Sequence, residues 1–506
     1  MTGQLSVIII GTGFGGLAAA IELKNAGHTS ITLLEKAGEV GGVWRDNTYP
    51  GAACDVPTPL YSYSFEPNPG WPRRYAPQSA IHDYLKMVAG KYDLRRHIRF
   101  GAEVRACTWD DVARQWTVTL ASGDTLTADV LVPAVGQLSR PAYPQIDGIG
   151  TFAGPAFHSA AWEHDVDLSG RRVAVIGTGA SAIQFVPQIQ PRAGSLALFQ
   201  RTPPHIAPRL DAGYGPLHHR LFRALPFTQA TERLAWWTYL ETVTSSFVYS
   251  PALSRVFTAY AKWHMKRQTA GKPGLFEKVW PDYPLGCKRI LASDNYLPAL
   301  AQDNVEVVTD PITAIEPAGV RTGDGHLHEA DVIIYGTGFA AAEFLAPMTV
   351  TGVDGLPLDK AWAEGASAYY GLTVPGFPNM LIMYGPNTNT GGGSIIYFLE
   401  TQARYIRDYV GRLAESGAPL DLKPGVATEF DDRIQARLAG SVWTRCTSWY
   451  RNAHGRVTAN WPGLSAEYRR TAVFRPGDYS IMKAPADIGG RVAEPVSQPA
   501  PPVPPR

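Results

Sequence analysis

The stretch L5-S-V-I-I-I-G11-T-G13-F-G-G16-L-A-A-A-I-E-L-K-N-A-G27 decides the fold. A run of apolar residues this dense is what a parallel strand buried on both faces requires, and the small residues after the glycines predict a helix packed closely on it. A second strand, I31-T-L-L, ends at Glu35, an acid about 20 residues past the loop, which is the βαβ context of a dinucleotide site. Gly11 makes the tight turn, Gly13 lets a pyrophosphate approach the backbone at a helix N-terminus, and Gly16 lets helix and strand pack closely. Phe14 lies inside this loop, and Glu35 is placed to accept hydrogen bonds from a ribose.

The pattern recurs in R172-V-A-V-I-G177-T-G179-A-S-A182-I-Q184, followed by the strand S195-L-A-L-F-Q, which ends at Arg201 rather than at an acid. Gly177, Thr178, Gly179 and Ala182 take the loop positions, with Ala182 where helix and strand must pack. A carboxylate binds ribose hydroxyls, whereas a guanidinium pairs with a 2′-phosphate and selects NADPH over NADH. Two loops of different preference on one chain imply FAD at the first and NADPH at the second, hence a flavin oxidoreductase.

T127-A-D-V-L-V-P-A-V-G136 and D331-V-I-I-Y-G336-T-G-F339 read as strands crossing back between domains. The expected fold class is α/β, with two Rossmann-like dinucleotide-binding domains, the second inserted in the first, and a helical insertion. The expected order is an FAD-binding part at 1–140, an NADPH-binding part at 141–204, and a helical insertion at 205–285, rich in Trp, Tyr and Leu. A second NADPH part follows at 286–330, a second FAD part with the C-terminal region at 331–490, and a Pro-rich disordered tail at 491–506.

Lys and Arg number 46 against 45 Asp and Glu, a balance that argues against non-specific attraction to nucleic acid or an anionic membrane surface and favours a neutral small-molecule substrate. No apolar run is long enough to span a membrane, and the N-terminal residues lack the basic character of a secretory signal. Cys54, Cys107, Cys287 and Cys446 lie far apart with no CxxC pair, which suggests neither a metal site nor a redox disulfide and points to a reducing cytoplasm. A disulfide reductase is thereby excluded, and oxygen becomes the leading electron acceptor.

Just before the second loop stands F152-A-G154-P-A-F-H158-S-A-A-W162-E, and after the first stands G41-G-V-W44-R-D-N-T-Y49-P-G51-A-A-C-D55. Both resemble motifs of the type I Baeyer–Villiger monooxygenases. The likeness continues through Y61-S-Y-S-F, Q200-R-T-P, G286-C-K288-R289, G385-P-N-T and C446-T-S-W449-Y. Related N- and S-oxygenases of amines and sulfides carry a similar first motif ending in another aromatic, so Trp162 favours the Baeyer–Villiger branch. One departure is G391-G-G-S, where relatives often place a His after the Gly.

The resemblance implies insertion of one oxygen atom of O2 next to a ketone carbonyl, through a C4a-peroxyflavin, to give an ester or lactone. It makes Arg289 the catalytic arginine and Asp55 the anion that holds it. Trp44, Tyr61 and Val104 join Glu35 among the FAD contacts. Gln184, Arg201, Thr202, Lys288 and Trp449 join the second loop at NADPH, with Arg201, Thr202 and Lys288 on the 2′-phosphate. Phe152, Gly154, His158 and Trp162 take a conformational role at the domain hinge. No metal is called for.

Overall fold

In the computed structural model, which describes residues 5–452 and 454–482, the opening apolar run forms strand β1 (Val7–Ile10), buried along its whole length. It pairs in parallel with β2 (Ile31–Glu35) on one side and with β7 (Val130–Pro133) on the other. The short strand β3 (Ile98–Phe100) extends the sheet beyond β2. Helix α1 (Phe14–Asn25) links β1 to β2 and is buried from Gly16 to Ile21. A helix apolar on nearly every side needs cover on both, and α1 obtains it from the sheet and from the helix Ile395–Ser416.

The second sheet has five strands, all parallel, in the order Val305–Val308, β10 (Ser195–Phe199), β9 (Arg172–Ile176), Val332–Tyr335 and β8 (Ala156–His158). Two expectations shift here. The strand at 332–335 completes this second sheet, next to β9, so the first core resumes after it and not at 331. The middle of the 152–162 stretch is itself the edge strand β8, Phe157 standing opposite Ile334. Helix α4 (Ala182–Ile189) buries Ile183, Phe185 and Val186 against this sheet.

A third core, not singled out in the sequence, forms where β4 (Val104–Asp110), β5 (Gln115–Leu120) and β6 (Thr125–Ala128) make an antiparallel meander. Past a register shift at Val104–Ala106, alternation decides its faces: Cys107 and Trp109 point inward while Thr108 and Asp110 face solvent. Between the halves of the second core rise three helices, α5 (Pro216–Ala224), α6 (Pro226–Val248) and α7 (Pro251–Thr269). Each starts on a proline, whose missing N–H costs nothing in a first turn. The Ser250 hydroxyl caps α7 by accepting the Leu253 N–H at 3.3 Å. The tail expected at 491–506 lies outside the described residues. Among the described residues no helix is long and apolar enough to cross a membrane.

Candidate active site

At the first loop the glycines divide by what a side chain would meet. Gly11 has φ +103°, and a Cβ there would lie 2.7 Å from the Ala134 carbonyl oxygen; at Gly16 it would lie 2.0 Å from the Gly11 carbonyl oxygen. At Gly13 the nearest atom would be 4.0 Å away, and no side chain caps α1. Two glycines are thus fixed by the protein's own packing, while the middle one opens a cradle at a helix N-terminus, where the backbone N–H groups suit a pyrophosphate.

Glu35 closes this end of the site from the tip of β2. Its carboxylate accepts from the Thr12 N–H (3.2 Å), the Thr12 hydroxyl (2.6 Å) and the Ala37 N–H (3.0 Å), and pairs with Arg45 at 3.0 Å. Arg45 was visible in the G41-to-D55 motif but carried no role in the sequence reading. Val104 begins β4 two residues after Ala102, whose N–H donates to the Glu35 carbonyl. The Trp44 indole N–H donates to the Tyr61 hydroxyl at 3.1 Å, and the Tyr61 and Phe14 rings meet edge to face. Burial raises the Tyr61 hydroxyl well above its ordinary range.

The second loop repeats the turn: Gly177 has φ +106°, and a Cβ there would lie 2.5 Å from the Gly336 carbonyl oxygen. Gly179 is again freer, with 3.7 Å of clearance, and Ala182 is buried against Gly336. The Thr178 hydroxyl donates to the Thr202 carbonyl at 3.2 Å, tying the loop to the residue after Arg201. Lys288 lies over the Tyr283 ring at 4.8 Å. Burial lowers the Lys288 ammonium, and the nearby Arg201 charge lowers it further. Neither cation forms an ion pair among the described residues, an arrangement that suits a dianionic phosphate. Gln184, expected at the nucleotide, makes contacts within the protein. Its carboxamide accepts from the Tyr49 hydroxyl (2.9 Å) and the Ala53 N–H (3.3 Å) and donates to the Ala53 carbonyl (3.0 Å). It stitches α4 to the segment leading to Asp55.

Asp55 and Arg289, 234 residues apart, are brought together: the guanidinium donates through Nε (3.0 Å) and Nη2 (2.6 Å) to one carboxylate oxygen. Asp55 raises the Arg289 pKa, and burial works against it. Two tyrosines that the sequence reading gave no role stand in the field of this pair. Tyr450 is buried and pushed up to about 12 by burial, with Arg289 opposing the rise. Tyr384 donates its hydroxyl to Asn389 at 3.0 Å, and Asn389 donates to Asn460 at 2.9 Å. Their signals were adjacency alone, Tyr450 following Trp449 and Tyr384 preceding G385-P-N. Trp449 is partly exposed, its ring 4.4 Å from that of Tyr450. Cys54, next to Asp55, is raised by burial and by the Asp55 charge, which keeps it a thiol.

The cysteine expectation is corrected here: Cys287 and Cys446 form a disulfide across 159 residues. Spacing alone could not show it, because folding brings the turn before Arg289 against the loop before Trp449. The argument for a reducing compartment loses its ground with this bond. Cys54 and Cys107 are free and buried.

The 152–162 stretch lies at the edge of the second core. A Cβ on Gly154 would strike the Asp331 carbonyl oxygen (2.5 Å) and the Phe152 ring (2.8 Å), so ring and backbone close on each other as the chain enters β8. His158 ends β8 fully buried, its Nδ1 accepting the Ala160 N–H at 3.1 Å, its ring edge-on to Tyr143 and Phe339. Burial lowers its pKa, which makes it a neutral packing histidine. Trp162 packs on Phe157 and on Phe185 of α4.

A family model described as flavin-binding monooxygenase-like matches residues 4–225. A Baeyer–Villiger monooxygenase of Streptomyces coelicolor is 45% identical over 497 residues, covering 97% of this chain and 95% of that protein. A second, of Pseudomonas aeruginosa, is 42% identical over 484 residues, covering 95% and 92%. The solved structure of an oxidized steroid monooxygenase bound to NADP is alike with a TM-score of 0.85 at 30% identity, over 94% of this chain and 99% of that one. Matched along nearly its whole length, the chain belongs to the Baeyer–Villiger monooxygenase family.

Proposed function

We infer that this protein is an FAD- and NADPH-dependent Baeyer–Villiger monooxygenase that inserts one oxygen atom of O2 beside a ketone carbonyl, giving an ester or lactone. The observation that carries the reading is the Asp55–Arg289 pair, a cation held through two hydrogen bonds by a residue reached from the first loop. The first loop, with Gly13 and Glu35, would hold FAD. The second loop, with Arg201, Thr202 and Lys288, would hold the 2′-phosphate of NADPH, and Trp449 would contact its nicotinamide end or the substrate. Once bound, FAD would pass the electrons of NADPH to O2, one atom of which enters the product while the other leaves as water.

The chain's own part is electrostatic. Arg289 presents a fixed positive charge where negative charge develops on oxygen during attack on the carbonyl, and in a water-poor site such a charge stabilises that oxygen far more than in bulk water. Asp55 keeps the guanidinium aimed and compensates its burial. The buried Tyr450 and the partly buried Tyr384 stand in the field of the same pair. The 152–162 stretch, wedged at the edge of the second core, would be placed to transmit motion between the cores during turnover.

The test is product analysis with NADPH on matched ketone and sulfide panels. An ester or lactone from a ketone supports the reading. Sulfoxide or N-oxide without ester from any ketone would place the chain with the N- and S-oxygenases instead.

A further inference from the structure

The overall charge balance hides a local asymmetry. Residues 216–269 contain seven Lys and Arg but only two acids, Glu232 and Glu241. Both acids are engaged. Glu232 accepts from the Tyr214 hydroxyl at 2.6 Å, and the buried Glu241 accepts the Ser465 N–H and hydroxyl at 3.0 and 2.7 Å. Of the cations, Arg233 turns inward onto the Pro59 and Ser62 carbonyls. The other six, Arg220, Arg223, Arg255, Lys262, Lys266 and Arg267, are exposed, and none forms an ion pair among the described residues.

Amid these cations the helices present apolar side chains to solvent. Leu217 is 77% exposed, Phe227 64%, Leu234 59% and Val256 63%, with Leu221 and Leu225 on the same turn series as Leu217. A surface helix ordinarily carries charge on its outer face, yet no exposed residue of α6 is charged. The helices pack side by side, α5 on α6 and α6 on α7, with Tyr239 of α6 and Tyr260 of α7 exposed. Tyr260 stacks on Trp263, and Arg267 lies over Trp263. A groove of about 380 Å³ beside Tyr260, Trp263 and Arg267 continues the face; its carboxylate, Asp294, accepts the Arg209 N–H.

We propose that the α5–α6–α7 face is a peripheral membrane-docking surface for an anionic phospholipid bilayer, its leucines and Phe227 entering the acyl boundary while Arg220, Arg223 and the α7 cations meet headgroup phosphates. Leu and Phe beside Trp and Tyr, ringed by uncompensated Lys and Arg, is the composition that lies in a membrane interface. A second copy fits worse, because two-fold pairing of this face sets cation against cation with no exposed acid on the three helices to match. A nucleic acid would use the cations but leave the leucines without a partner.

The test is flotation of the full-length, flavin-loaded protein with phosphatidylcholine vesicles carrying about 30% phosphatidylglycerol, against phosphatidylcholine alone. The expected result is binding to the anionic vesicles that weakens with salt. It should fall at least about tenfold in Phe227→Glu/Leu234→Glu and, separately, in Arg220→Glu/Arg223→Glu, with turnover in free solution unchanged. Binding no stronger than to phosphatidylcholine, or undiminished in both double variants, overturns the proposal. So does a dimer in sedimentation that Phe227→Glu/Leu234→Glu dissociates, which would make a second copy the occupant. Duplex DNA binding lost only in Arg220→Glu/Arg223→Glu, without vesicle binding, overturns it too.

Discussion

Arg289 owes its aim to one neighbour, Asp55. Replacing Asp55 by Ala leaves a half-buried guanidinium free to turn, and kcat for ester formation should fall about a hundredfold, the scale of losing one oriented charge at a reacting oxygen. Flavin reduction by NADPH should persist, which stopped-flow absorbance measures. Lys288 and Arg201 act on binding: with either changed to Ala, KM for NADPH should rise about tenfold while that for NADH stays constant, removing the preference between them. His205 reports on packing instead. It is buried edge-on against Trp280 and Tyr283, and burial lowers its pKa to about 4. The unfolded chain therefore binds a proton that the folded chain refuses as pH drops from 6.5 toward 4. Stability contributed by the neutral ring is full above 6.5 and lost through that window, by up to about 3 kcal/mol. Thermal melts at pH 7 and pH 5 should show a smaller drop for His205→Gln than for the wild type.

At the scale of elements, the glycine loops were legible because each glycine answers a local demand: a positive φ at Gly11 and Gly177, close packing at Gly16, an open cradle at Gly13. Gly177→Ala should cost NADPH binding at least tenfold, since its Cβ would meet backbone and not a yielding side chain. Asp55 and Arg289 were legible only through motifs around them, for nothing local to either residue says that they meet. Tyr384 and Tyr450 were not legible, because loops carry no periodicity and their role comes from contacts made across the chain. The Cys287–Cys446 bond escaped for the same reason. It ties the Arg289 turn to the Trp449 loop, so Cys287→Ser/Cys446→Ser should lower stability by roughly 2–4 kcal/mol, and dithiothreitol should shift the wild-type melt in the same direction.

At the scale of the molecule, two parallel cores face each other through a few crossing segments, and the sequence announced both through their strand-loop-helix openings. The strand at 332–335 was assigned to the wrong side of that crossing. An apolar run before a glycine marks a buried parallel strand but not which sheet receives it. Net charge was equally blind to place: a total of +1 coexists with a three-helix face of uncompensated cations. Central to the proposed function is Arg289, aimed by Asp55 and presented to an oxygen atom delivered from O2 to a ketone. The most direct test of that role is mass analysis of products formed from a panel of cyclic, linear and aromatic ketones with NADPH and isotopically labelled O2, in wild type and Arg289→Ala. Wild type should give an ester or lactone carrying one labelled oxygen, and Arg289→Ala should still oxidise NADPH yet form none. Labelled ester from Arg289→Ala at the wild-type rate, or no ester from wild type with any ketone, would contradict it.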